Sequence, residues 1–227
     1  MYNRGMRFAT DEFYHIVGRG VDGRIIFSRR EDYERFLKGL REFNTPEPKE
    51  LRFCGSQNSE VEPPEERERL VDVVSYCLMK NHIHLLIRVI DPQSMAKFLQ
   101  KLFGGYTMYF NIKYKRKGVL FQGKAKAQHI DHGVYLDHVL HYIHLNPLDY
   151  HDRRWREHGI KNSKLARQVV VGYLWSSIRE IFGEEENLII NRSLVKELVA
   201  SKRDFFDGLL SWAVSGGSTS EVSEMLE

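Results

Sequence analysis

The run from Val71 to Val89 constrains this chain more than any other stretch. Residues 71–78 (VDVVSYCL) and 82–89 (HIHLLIRV) are rich in β-branched and aromatic side chains, and Met79-Lys80-Asn81 between them is short. That spacing predicts a β-hairpin. Strand side chains alternate, so His82, His84, Leu86 and Arg88 take one face and Ile83, Leu85 and Ile87 the other. The oily face needs a covering layer. On the opposite face the two imidazoles stand roughly 6.5 to 7 Å apart along the strand, a spacing that lets their ring nitrogens converge on one divalent ion. A pair of packed histidines gives the same pattern, so the pair needs a partner before it means anything.

The surrounding elements follow from periodicity. Glu12–Val17 alternates as a strand, followed by turn chemistry at Gly18-Arg19-Gly20 and Asp22-Gly23 and a short apolar return at Ile25–Phe27. Glu31–Phe43 sets Tyr33, Phe36, Leu37 and Leu40 at helical spacing, with Ser28 as a candidate cap. Residues 45–69 hold four prolines and seven glutamates and read mostly as a loop, with a short strand at Leu51–Cys54. Pro92 to about Tyr114 is helical, weakened and open to a bend at Gly104-Gly105, and Val119–Ile130 is extended. The order β-α-β-β-α-β predicts an α+β, ferredoxin-like (split βαβ) antiparallel sheet with helices on one face and the other face free.

A third helix, Gly133–Asn146, should end at Pro147 with Leu136, Val139, Leu140 and Ile143 as its core stripe. Tyr142 and Asn146, one turn apart, fall on the edge of that stripe, half buried and half presented. The expected division is a domain over 1–150 with an insertion at about 45–69, then a helical extension over 151–227 with an acidic, loose tail.

The formal charge of +3 is modest, but it is unevenly distributed. Lys101 to Ile130 carries seven basic residues and no acidic one, interleaved with aromatics; from Glu184 onward nine acids face four bases. Cations neutralise phosphates and rings stack on unpaired bases, so the basic segment fits a nucleic-acid surface. The aromatics at 103, 106 and 110 share a helix face and suit the core, which leaves the lysines for phosphate. No apolar leader region and no run of 18 apolar residues is present, so neither secretion nor membrane insertion is expected. Two cysteines, Cys54 and Cys77, make no disulfide framework and point to the reducing cytoplasm.

Five motifs occur in order: Phe13-Tyr14-His15-Ile16-Val17-Gly18-Arg19-Gly20 with Ile25-Ile26-Phe27; Leu78-Met79-Lys80-Asn81-His82-Ile83-His84-Leu85-Leu86; Gly118-Val119-Leu120-Phe121-Gln122-Gly123-Lys124; Tyr142-Ile143-His144-Leu145-Asn146-Pro147; and Tyr173-Leu174-Trp175-Ser176-Ser177. Together they resemble the single-tyrosine HUH transposases, and within them the REP-associated tyrosine transposases, over about residues 8–183. The resemblance implies a metal-dependent nuclease and strand transferase that cuts single-stranded DNA beside hairpin or palindromic elements and forms a 5′-phosphotyrosine. His82 and His84 match the histidine pair, Tyr142 the nucleophile, and Asn146 the third metal-contacting group. Lys80 departs from the proline often found before the asparagine, which bears on turn geometry.

The expected metal is Mg2+ or Mn2+. Imidazole favours softer ions than magnesium, so two histidines and one amide would hold Mg2+ weakly, and Mn2+ should serve at least as well. A free phenol, with a pKa near 10, needs activation at neutral pH. Arg19 and Arg24 in the turn after the first strand, and Lys115, Arg116, Lys117, Lys124 and Lys126, are the candidate DNA contacts; phosphate contacts give affinity rather than sequence. Tyr106, Tyr109 and Tyr114 are the alternative tyrosines. The alternative function is a domesticated, non-catalytic protein that binds palindromic DNA; homodimer and monomer both stay open.

Overall fold

The structure is a computed structural model that describes residues 7–46, 68–131, 133–183, 189–199 and 201–215. The chain runs β1 (Phe13–Arg19), α1 (Arg30–Glu42), β2 (Val71–Met79), β3 (His82–Val89), α2 (Pro92–Lys113) and β4 (Lys126–Ile130). The sheet order is β2-β3-β1-β4, and every neighbouring pair is antiparallel. This is the ferredoxin-like arrangement that the element order predicts. The expected loop over 45–69, with its short strand, lies almost wholly outside the described residues. So do Cys54, His132 and the end of the acidic tail.

The predicted hairpin forms with Met79 opposite His82, leaving Lys80-Asn81 as the turn. The Lys80 carbonyl accepts from the amides of Ile26 and Phe27 (2.8 and 3.0 Å), so the apolar return at 25–27 docks against this turn and is not itself a strand. On β3 and β2, Arg88 and Asp72 are opposite each other and pair at 2.7 Å, which keeps that arginine in a structural ion pair.

Helix α1 is capped by Asp32 and not by Ser28. The Asp32 carboxylate accepts from the amides of Ser28 and Arg29, both at 2.9 Å, because a carboxylate three residues in reaches back to the orphan donors of the first turn. The same buried carboxylate takes the Lys113 ammonium (2.6 Å) and the Tyr114 hydroxyl (2.7 Å), tying the start of α1 to the end of α2. Helix α2 runs unbroken through Gly104-Gly105. At Gly105 the reason for glycine is contact: a Cβ would stand 2.6 Å from the Phe43 ring.

The second sheet face is not free. The chain continues as α3 (Val134–Leu145), a 3-10 turn at Asn146–Tyr150, α4 (Trp155–His158), α5 (Ser163–Gly172), α6 (Ile178–Ile181), α7 (Arg192–Leu198) and α8 (Lys202–Ser215). Helix α3 packs on β2 and β3, and α8 packs on α3 with Phe205 and Leu209 buried. All nine residues of β2 are therefore buried. The stripe Leu136, Val139, Leu140 and Ile143 is buried as predicted. Pro147 ends α3 but does not stop the turning chain, since proline is tolerated at the first turn of the following 3-10 segment.

The segment Tyr173–Ser177 acts as an edge cover. Leu78 donates to the Trp175 carbonyl (2.8 Å), Ser177 donates to the Tyr76 carbonyl (3.0 Å), and Tyr76 donates to the Ser177 hydroxyl (3.0 Å). These bonds satisfy the outer edge of β2, which would otherwise offer unpaired backbone groups. The Ser177 hydroxyl also meets His144 on α3 at 2.9 Å, so the edge cover and the third helix are joined. Among the described residues no helix is long and apolar enough to cross a membrane.

Candidate active site

Strand pairing decides what stands beside the histidines. Val17 is opposite His84 and Arg19 is opposite His82, so His15, Arg19, His82 and His84 all project to the face that α3 covers. There Arg19, His82 and His84 line a cleft of about 370 Å³ together with Asn81, Gln122, Tyr142, Asn146, Asp149 and Arg156, while His15 lies buried behind His84. Gly20 forms part of the wall where the chain turns sharply; a Cβ there would lie 2.1 Å from the Arg24 carbonyl oxygen.

The imidazoles are held neutral. Burial pushes His82 down to about 4, helped by the Arg19 and Arg156 cations, and burial pushes His84 well below the usual imidazole range. Neutral imidazole is the form that donates a lone pair to a metal. The His82 and His84 rings meet edge to face at 4.9 Å, and His82 Nδ1 bonds the Asn81 side-chain oxygen at 2.8 Å. His84 Nδ1 bonds His15 Nε2 at 2.9 Å, while His84 Nε2 is buried with no hydrogen-bond partner. If Nδ1 carries the proton, Nε2 is a bare lone pair on the cleft side, as a ligating histidine requires.

Asn146 is oriented by the last turn of α3, which it follows. Its Nδ2 donates to the carbonyls of Tyr142 (3.0 Å) and Ile143 (3.3 Å), which fixes the amide and turns Oδ1 toward Arg156 Nη2 at 3.1 Å. Tyr142 sits between the histidines and that arginine. Its ring is 5.8 Å from His84, 6.1 Å from His15 and 5.5 Å from the Arg156 guanidinium. Tyr142 and Asn146 are each only 1% exposed, more enclosed than a helix-edge position implies, because the sheet and Arg156 close over that edge. Among the described residues no cluster of three or more His, Cys, Asp or Glu can hold a metal, so the third protein donor would be an amide oxygen. The two neutral imidazoles, the orphaned His84 Nε2 and the Asn146 amide fit a divalent ion that keeps open positions for phosphate oxygen and water.

Of the candidate DNA contacts only Arg19 lies in the cleft. Arg24 is exposed in the adjoining loop, Lys115 and Lys117 are exposed in the turn after α2, and Lys124 and Lys126 are exposed before and at the start of β4. Arg116 is half-buried and bonds Asn111 at 2.9 Å. The backbone brings this basic stretch back to the cleft: Gln122 donates to the Arg19 carbonyl at 2.7 Å and Val21 to the Leu120 carbonyl at 2.9 Å.

The alternative tyrosines are engaged elsewhere. Tyr106 donates to the Ile26 carbonyl (2.5 Å), while Tyr109 and Tyr114 bond Asp32. The histidines of α3 are packed: His138 lies on Trp212, His141 on Phe205, and His144 bonds Leu140 and Ser177. His129 pairs with Glu12. His15 is buried on β1 and bonds His84. Arg156 and Asp149 carry no periodic signal; they reach the cleft only because the 3-10 turn after Asn146 folds the chain back.

No curated protein matches this sequence. A solved structure titled "Structure of the REP associates tyrosine transposase bound to a REP hairpin" is similar at 10% identity with a TM-score of 0.48, covering 82% of this chain and 90% of that one. Residues 65–146 match the family model described as "Transposase IS200 like". The matched stretch contains His82, His84, Tyr142 and Asn146, so over the segment that carries these four cleft residues this chain is similar to the IS200-like transposases, the family to which its ordered motifs point.

Proposed function

We propose that this protein cuts and rejoins single-stranded DNA beside hairpin elements, with Tyr142 as nucleophile and a Mg2+ or Mn2+ ion held by His82, His84 and Asn146. The observation that carries the reading is the convergence of these four side chains, from β3, α3 and the start of the 3-10 turn that follows it, on one cleft. The match of residues 65–146 to a transposase family supports it.

The Tyr142 hydroxyl attacks the scissile phosphorus, the bond from phosphorus to the 3′ oxygen breaks, and the phenolic proton is lost as the 5′-phosphotyrosine forms. The departing strand leaves with a 3′ hydroxyl. Attack by a 3′ hydroxyl on the phosphotyrosine reverses these bond changes and rejoins DNA, so no bond energy is lost to hydrolysis. The bound metal would supply Lewis-acid polarisation of the phosphate and neutralise charge that develops on its oxygens. Within the chain, His15 orients His84, the α3 carbonyls orient Asn146, and the sheet limits water around the phenol. Arg19 at the cleft and the lysines at 115, 117, 124 and 126 would carry the DNA backbone.

The test is incubation of the protein with labelled single-stranded hairpin oligonucleotides carrying flanks, with and without Mn2+, followed by a denaturing gel. The expected result is a metal-dependent, denaturation-resistant protein–DNA band that is lost in Tyr142→Phe. An adduct that survives in Tyr142→Phe refutes the nucleophile. Hairpin binding without an adduct, whatever the metal or flank, refutes the reaction.

A further inference from the structure

Asn146 Oδ1 is the one protein oxygen in the cleft that the proposed metal site needs, and Arg156 Nη2 already holds it at 3.1 Å. Arg156 is itself fixed from the other side. Its Nη1 pairs with Asp149 Oδ1, and that oxygen also takes the Trp155 indole N–H at 2.7 Å. The guanidinium lies 4.7 Å over the Trp155 ring and 5.5 Å over Tyr142, while its Nε is buried with no hydrogen-bond partner. Its side chain is only 17% exposed, yet it lines the cleft. Arg156 comes from α4, beyond the segment that matches the transposase family.

A guanidinium and a divalent cation cannot share a neighbourhood without strong repulsion, and the amide oxygen has only two lone pairs to divide between them. A phosphate changes that balance. The guanidinium fork matches phosphate oxygens in a two-pronged geometry, and the anion screens it from the metal. Resting on the transposase reading above, we propose that Arg156 couples metal loading to substrate: in the free protein it holds Asn146 Oδ1, and a phosphate entering the cleft draws the guanidinium away and releases that oxygen to the metal. Arg156 is thus a positioning residue that acts through Asn146. Metal and DNA then bind with positive cooperativity, each raising the affinity for the other by the same factor.

The experiment titrates Mn2+ into the full-length chain carrying Tyr142→Phe, by calorimetry, with and without a single-stranded hairpin oligonucleotide. Hairpin DNA is expected to tighten Mn2+ binding about tenfold or more, within the usual range of coupling between sites. Arg156→Gln should bind Mn2+ more tightly than its parent without DNA, and gain little more when DNA is added. Arg156→Lys serves as the charge control: it keeps the cation for Asp149 but cannot span to Asn146 as well, so it should behave like Arg156→Gln. If only the glutamine variant binds tighter, the effect is charge removal and the proposal fails. It fails equally if neither folded variant changes Mn2+ affinity, or if DNA does not tighten Mn2+ in the parent. A wild-type chain that forms no adduct with any metal overturns the transposase reading; one that forms it while the Arg156 variants leave Mn2+ affinity unchanged overturns only the coupling.

Discussion

Mild acid should destabilise this protein, and most of the slope of that effect can be worked from three wholly buried imidazoles. His15, His84 and His144 are wholly buried; burial pushes His15 down to about 3 and His144 to about 4, and holds His84 well below the usual range. Above pH 6.5 these groups are neutral folded or unfolded and favour neither state. Below it the unfolded chain takes up protons that the folded chain refuses, so stability falls with pH until the folded values are reached. At pH 5 each such histidine costs about 2 kcal/mol. Three together cost about 6 kcal/mol, comparable with the whole stability of many domains, about 5 to 15 kcal/mol.

Urea denaturation at a series of pH values between 7 and 5 measures this directly, since the slope counts the extra protons bound by the unfolded chain. These three rings should contribute close to three protons to the slope near pH 5.5, and His82, pushed down to about 4, close to one more. His144→Gln, which can still bond Leu140 and Ser177, should lower it by about one. A slope below one proton in the wild type, or no change in His144→Gln, would refute the reasoning that these rings are buried neutral.

His15→Phe removes the partner of His84 Nδ1 and should weaken Mn2+ binding about 10- to 100-fold by calorimetry, with His15→Gln recovering part of the loss. Gly104 has nothing within 4 Å of a Cβ, whereas a Cβ on Gly105 meets the Phe43 ring at 2.6 Å. Gly104→Ala should therefore stabilise α2 by up to about 1 kcal/mol in urea melts, with Gly105→Ala falling short of it by about 1 to 2 kcal/mol. Arg19→Ala should reduce the salt dependence of hairpin binding by close to one counterion in a filter or fluorescence assay, while an unchanged slope would remove Arg19 from the phosphate path.

The sheet and its histidine pair were legible because they are local. Alternation along Val71–Val89 fixes which side chains share a face, and the 3.6-residue period fixes the stripe Leu136, Val139, Leu140 and Ile143. Ordered motifs then linked Tyr142 and Asn146 to the histidines across nearly sixty residues, a pairing that periodicity alone left open. Other features depended on distant neighbours. Asp32 and not Ser28 caps α1, because Lys113 and Tyr114 stabilise its buried carboxylate. Helix α3 covers the expected free sheet face, and its outer side is buried in turn against α8.

The site divides in the same way. Residue type and strand spacing determined that two imidazoles could meet one ion, whereas their neutrality comes from burial among elements far apart in the chain. No sequence period announces His15 as the partner of His84, or Arg156 as the guanidinium on Asn146. Those contacts exist because antiparallel pairing sets β1 beside β3, and because the chain turns back after α3. Side-chain chemistry and local spacing are written in the sequence, but which groups lose their water and which charges face each other is decided only when the layers close.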